Sequence, residues 1–125
     1  MELFNKNLEL LRSSQPFLAS RVEREPKQNF VRVSMSKDRN PIPQIGSISL
    51  HSNYCPLKEA KDGLSEYCLR AQQTPVVYGL GFGYHVLEIL NRYKGSKVLV
   101  IEPLMSIFQS FMENVDLEPF LPNTQ

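Results

Sequence analysis

The segment from Val76 to Glu102 constrains the fold of this chain more than any other. Val76-Val77-Tyr78 is an apolar run, Gly79-Leu80-Gly81-Phe82-Gly83 follows, Tyr84 to Tyr93 is amphipathic, and Lys97-Val98-Leu99-Val100-Ile101-Glu102 is apolar again with a terminal carboxylate. Strand, glycine-rich turn, helix and strand in that order form a partial Rossmann-like βαβ unit with parallel strands, which places the chain in the α/β class. Glycines at 79, 81 and 83 allow positive φ and let the backbone approach a ligand where a Cβ would intrude. The helix that follows turns its unpaired N–H groups and positive dipole end toward the turn, a place that suits a phosphate, a ribose or a carboxylate. Glu102 stands 19 positions after Gly83, near the spacing at which dinucleotide-binding folds set an acid on ribose hydroxyls. The candidate nucleotide-binding residues are therefore Gly79, Gly81, Gly83, Tyr84, His85 and Glu102. The blander reading is that the glycines only permit tight strand-to-helix packing, and that Glu102 marks the point where a strand meets solvent.

Two departures narrow the chemistry. The third glycine follows the second by two positions rather than three, unlike a nicotinamide or flavin fingerprint and closer to the loop of an S-adenosylmethionine-dependent methyltransferase. Such enzymes carry an acid two residues before the first glycine, and here Val77 occupies that place. No Gly-x-x-x-x-Gly-Lys-Ser/Thr sequence is present, which excludes a Walker-type triphosphate cradle. The cofactor stays open, with a nucleotide or nucleotide sugar as the class that fits the loop.

The chain has 125 residues with a formal charge of +1, enough for one domain or for a small lobe with part of another. That near-neutral balance gives no electrostatic footprint for nucleic acid or a membrane surface. No apolar stretch is long enough to span a bilayer, and Met1-Glu2-Leu3-Phe4-Asn5 is not the start of a secretory signal, so a cytoplasmic location is expected. Cys55 and Cys68 form no Cys-x-x-Cys pair, and neither His51 nor His85 stands at metal-ligand spacing; reduced thiols and no metal site are the expectation. His85, at the start of the glycine-loop helix, is placed either to touch a ligand or to lie on the surface.

Elsewhere, Leu3, Phe4, Asn7, Leu8 and Leu11 keep helical spacing, Ser13-Ser14-Gln15-Pro16 breaks it, and a second helix with Phe17, Leu18 and Val22 ends near Glu25. Residues 29–36 and a stretch marked by Ile45, Ile48 and Leu50 read as strands either side of the turn Lys37-Asp38-Arg39-Asn40-Pro41, a hairpin able to extend the parallel sheet. Residues 56–73 read as one amphipathic helix with Leu57, Ala60, Leu64, Tyr67, Cys68 and Ala71 on its apolar face, which makes Cys68 a core thiol. Pro103 opens a last helix whose Leu104, Ile107, Phe108, Phe111, Met112 and Val115 must pack on the sheet, on a partner or on a second copy. Strand Val98–Ile101 reads as covered on both faces. The pattern divides into residues 1–74 and 75–125, together forming one compact unit. Asp116 to Gln125 stops where a doubly wound fold would next place a third strand, an indication of a larger protein.

Four segments together resemble the N-terminal region of the bacterial motility-associated factor glycosyltransferases: Asn7 to Leu11, Leu50-His51-Ser52-Asn53-Tyr54-Cys55-Pro56-Leu57-Lys58-Glu59-Ala60, Gly79-Leu80-Gly81-Phe82-Gly83-Tyr84-His85, and Val100-Ile101-Glu102-Pro103. The resemblance implies a link to transfer of nonulosonic acid sugars from a cytidine-monophosphate donor to serine or threonine of flagellin. The catalytic domain of that family is its larger central one, so the resemblance implies an accessory domain here and no catalytic residue. Cys55 departs from the family pattern, which has Asp before the proline, and a poorly capped helix start costing about 1 kcal/mol is expected. A small-ligand or methyltransferase-like module, and a protein-interaction module using the 104–115 helix, are the alternatives.

Overall fold

The computed structural model describes residues 2–65, 67–70, 73–121 and 124. Helices α1 (Glu2–Ser14) and α2 (Pro16–Arg24) form the expected N-terminal hairpin, with Pro16 at the first turn of α2 and Glu25 capping it before Pro26. Strands β1 (Val31–Met35), β2 (Pro41–Ile45) and β3 (Ile48–Ser49) follow, then α3 (Pro56–Gly63), β4 (Val76–Tyr78), α4 (Tyr84–Arg92), β5 (Leu99–Ile101), α5 (Met105–Asn114) and a 3₁₀ turn at Glu118–Phe120. β4 and β5 pair in parallel with Val76 opposite Leu99 and Tyr78 opposite Ile101, and α4 makes the crossover. The chain is α/β, with the βαβ unit where the glycine pattern places it.

The hairpin is present, but its second strand starts at Pro41 and its sheet is separate. β1, β2 and β3 form an antiparallel sheet in that order, and they do not join β4–β5. Pro41, read from sequence as the end of the turn, and Pro43 both lie in the central strand. A residue's nitrogen and carbonyl point to the same side of an antiparallel strand, and the Pro43 carbonyl accepts from the Leu50 N–H at 3.0 Å. The nitrogens of Pro41 and Pro43 therefore face the short third strand, and no ladder bond to β1 is lost.

The helix expected over 56–73 ends at Gly63. Arg92 of α4 donates to the carbonyls of Leu64 (2.6 Å) and Lys61 (2.9 Å) and so completes the C-terminus of α3. The Tyr93 hydroxyl donates to the Tyr67 carbonyl and accepts from the Leu69 N–H, holding that stretch out of helix. Cys68 is exposed and not a core thiol; Glu66, Ala71 and Gln72 lie outside the described residues. Cys55 also caps better than expected: its Sγ accepts from the Lys58 N–H at 3.4 Å.

One buried cluster draws on both halves, joining Leu8, Leu11 and Val22 to Phe82, Val86, Phe111, Met112 and Phe120. Part of the apolar face of α5 is covered inside the chain by α1 and α2, which leaves Ile107, Phe111 and Met112 buried, while Leu104 stays 42% exposed and Phe108 half-buried. The parallel pair is covered on one face only. Val77 and Val100 pack on the core, while Val76 (60% exposed), Tyr78 (75%), Leu99 and Ile101 face outward, against the expectation of burial on both sides. Val98 is buried and makes a parallel bridge to Thr124, where a third strand would run. Among the described residues no helix is long and apolar enough to cross a membrane.

The buried Asn7 side chain ties the halves together. Its amide donates to the carbonyls of Met112 (2.9 Å) and Val115 (2.7 Å) at the end of α5, and its carbonyl accepts from the Leu117 N–H (2.9 Å). Asn7→Ala leaves these groups unpaired in the core and should destabilise the fold by about 3 kcal/mol. Asn5→Ala, on the exposed face of the same helix, should change stability by less than about 0.5 kcal/mol; urea unfolding of the two variants makes the comparison.

Candidate functional site

The glycine loop lies at the carboxyl ends of β4 and β5, the edge at which open α/β sheets hold ligands. Gly79, Gly81 and Gly83 all take positive φ, at 99°, 54° and 80°. A Cβ on Gly81 would stand 2.5 Å from His51 Nε2, and one on Gly83 would stand 2.6 Å from the Phe120 ring, whereas one on Gly79 would meet nothing within 4 Å. Two of the three glycines are thus required by close packing as well as by backbone conformation.

The loop's N–H groups converge on the protein's own acceptors. Glu102 Oε1 accepts from Leu80 (2.9 Å) and Gly81 (3.2 Å), and its Oε2 accepts from Leu104 (3.1 Å) at the start of α5. The Phe82 N–H donates to His51 Nε2 at 2.9 Å, the Gly79 N–H to the Ile101 carbonyl at 2.7 Å, and the Gly83 N–H to the Leu80 carbonyl at 2.8 Å. Every N–H from residue 79 to 83 is bonded within the chain. His85 Nε2 bonds the Gly79 carbonyl at 2.8 Å, and because a carbonyl only accepts, that nitrogen carries the proton.

A cavity of about 580 Å³ opens over this loop, within the size range of small-molecule sites. Gly79, Gly81, His85 and Glu102 line it together with His51, Glu59, Tyr78 and an apolar wall that includes Leu50, Pro56 and Ile107. Gly83 and Tyr84, the other two candidates, lie behind the loop: Gly83 starts α4, and the Tyr84 hydroxyl donates to the Pro41 carbonyl. Burial, with the Asp38 charge as the lesser cause, pushes the Tyr84 hydroxyl up to about 12. Among the described residues no three His, Cys, Asp or Glu side chains gather as a metal-binding set.

His51 is the site residue that sequence reading passed over. Its ring packs edge-on to Tyr84 with centroids 5.0 Å apart and lies 5.8 Å from the ring of His85. It belongs to the Leu50–Ala60 segment, but its contact with the loop spans 31 positions and no local pattern announces it. Burial first, and the His85 charge second, depress its pKa to about 4. The neutral ring is also required by geometry, since Nε2 accepts from a backbone amide and cannot do so when protonated.

The sign of the pH dependence follows. Unfolded His51 titrates near its ordinary 6.5 and takes up a proton that the folded chain refuses until about pH 4. Its contribution to stability is therefore complete above pH 6.5 and is lost as pH falls toward 4, with a slope of at most about 1.4 kcal/mol per pH unit. Asp38 and Asp116, held below the ordinary carboxyl value by hydrogen bonds led by Cys55 and by the Glu118 amide respectively, act below that window. Urea unfolding between pH 7 and 4 should show the slope, and His51→Gln, which keeps an acceptor, should flatten it. Gly81→Ala should destabilise by at least about 3 kcal/mol through φ strain and loss of the His51 bond, against about 1–2 for Gly79→Ala.

No family model matches the sequence, and no curated protein matches it. Among solved structures, the fold is similar to that of the MAf glycosyltransferase from Magnetospirillum magneticum AMB-1, with a TM-score of 0.70 at 15% identity over 96% of this chain. The match takes in 25% of that protein, so this chain spans about a quarter of its length. The likeness is one of fold, to a segment of that one glycosyltransferase.

Proposed function

We propose that this chain is an accessory, non-catalytic N-terminal domain of a motility-associated factor glycosyltransferase, a class that transfers a nonulosonic acid sugar to serine or threonine of flagellin. The observation that carries this reading is the fold shared with the Magnetospirillum transferase over 96% of this chain. Residues 1–74 and 75–125 act as one unit in this reading, through the core they share. Its partner is the remainder of a larger transferase, flagellin is the acceptor of the whole enzyme, and the work takes place in the cytoplasm before export. A second reading, favoured by the cavity at the strand ends, is that the loop bounded by Gly79, Gly81, Gly83, Tyr84, His85 and Glu102 holds a small ligand of nucleotide or nucleotide-sugar type.

The two roles separate experimentally. Deleting the coding sequence for residues 1–125 from the gene should reduce flagellin glycosylation, read by intact mass of purified flagellin, and the isolated chain should transfer no sugar from a cytidine-monophosphate donor. Transfer by the isolated chain would overturn the accessory role, and unchanged glycosylation after deletion would overturn the link to the enzyme.

A further inference from the structure

The geometry points to a neutral ring bearing hydroxyl groups, a sugar or the ribosyl part of a nucleoside, as the occupant of the cavity over the glycine loop, with no phosphate bound by the loop itself. This inference rests on the ligand-binding reading of the cavity and is independent of the accessory role. The loop offers nothing to a phosphate. Its N–H groups from 79 to 83 are all taken within the chain, and the acceptor for two of them is the Glu102 carboxylate. An anion arriving at residues 79–83 would meet the Glu102 carboxylate and find none of those five N–H groups open.

What the cavity does offer is a fixed donor beside an acceptor. The Phe82 N–H holds His51 Nε2 as an acceptor, so the proton of the neutral ring sits on Nδ1. That N–H has no hydrogen-bond partner among the described residues, although the His51 side chain is only 7% exposed. Nδ1 lies 4.0 Å from Glu59 Oε1, too far for a direct hydrogen bond. An oxygen set to one side of the line joining them can lie at bonding distance from both, provided it accepts from the imidazole and donates to the carboxylate, whose Oε1 also accepts from the Ser52 N–H at 2.9 Å. A hydroxyl does both. His85 lines the same cavity with its Nε2 committed to the Gly79 carbonyl, and its Nδ1 is without a partner among the described residues, a place for a second hydroxyl. The apolar wall of Leu50, Pro56, Leu64 and Ile107 suits the C–H face of a ring.

Long-range 1H–15N spectra of the histidine rings test the idea on the 125-residue chain. Titration with cytidine and adenosine, with methyl glycosides, and with inorganic phosphate and pyrophosphate should shift the His51 Nδ1 and His85 signals only with the neutral compounds, saturably and at about 1 mM or tighter. Saturation by nucleosides alone assigns the ribosyl source, and by glycosides alone the sugar source. Cytidine monophosphate should bind no more than about threefold tighter than cytidine, a difference below one charge-assisted hydrogen bond. Glu59→Ala, at an exposed helix position, should weaken binding about tenfold while leaving the His51 tautomer signature in place. Should phosphate or pyrophosphate perturb residues 79–83 in preference to the neutral compounds, this inference fails and the nucleotide reading stands. If no compound shifts the rings, the ligand-binding reading fails with it, and the accessory role is judged on the deletion experiment alone.

Discussion

The Glu102 carboxylate is the interaction on which the rest of this structure depends. One oxygen gathers the N–H groups of Leu80 and Gly81 and the other takes the N–H of Leu104, so a single side chain joins the glycine turn, the end of β5 and the start of α5. Hydrogen bonds to a charged acceptor contribute about 1.5–3 kcal/mol each where water is excluded, and less at a half-buried position such as this one. The carboxylate also answers a local deficit. α5 begins at Leu104 with no side-chain cap, and a negative charge one turn ahead of its first N–H groups complements the helix dipole. The loop can then take three left-handed glycines without leaving its amides unpaired in a buried site.

A second constraint is the pair of buried amides that close helix ends from across the core. Asn7 of α1 receives the C-terminus of α5, and Gln109 of α5 donates to the carbonyls of Val22 (3.2 Å) and Glu25 (2.7 Å) at the end of α2. Orphan carbonyls at helix ends need donors, and here each helix supplies one to its neighbour. The exchange sets α1, α2 and α5 at one depth and buries the apolar stripe of α5 between them. Ile107, Phe111 and Met112 of that stripe find their cover inside the chain, and Leu104 at its start does not.

What was legible in the sequence divides along the range of the interactions. The βαβ unit was readable because its signals are local: an apolar run, glycines with positive φ, and an amphipathic stretch follow one another within 27 positions from Val76 to Glu102. The proline-rich second strand was not readable, because its tolerance of Pro41 and Pro43 depends on which edge their nitrogens face, a fact set by pairing with β3. The early end of α3 was hidden for a similar reason. Arg92 and Tyr93, some 28 positions from their partners, supply the bonds that stop it. The continuous apolar run of β5 suggested burial on both faces, but only the face of Val77 and Val100 has helices over it, and periodicity carries no information about which cover is present.

The same limit governs the site. Gly-x-Gly-x-Gly reads as room for a ligand because a Cβ would fill the space, yet the space at 81 is filled by the His51 imidazole and the space at 83 by the Phe120 ring. Only at Gly79 does a Cβ direction stay open. A glycine pattern therefore reports that something approaches the backbone closely, and it is silent on whether that something is a ligand or a side chain from elsewhere in the fold. The deciding residue, His51, arrives from a loop before α3, and by accepting from the Phe82 amide at Nε2 it keeps its own proton on Nδ1. The amides that the glycine pattern would leave for a ligand are thus committed to side chains of this same chain, Glu102 for Leu80 and Gly81 and His51 for Phe82.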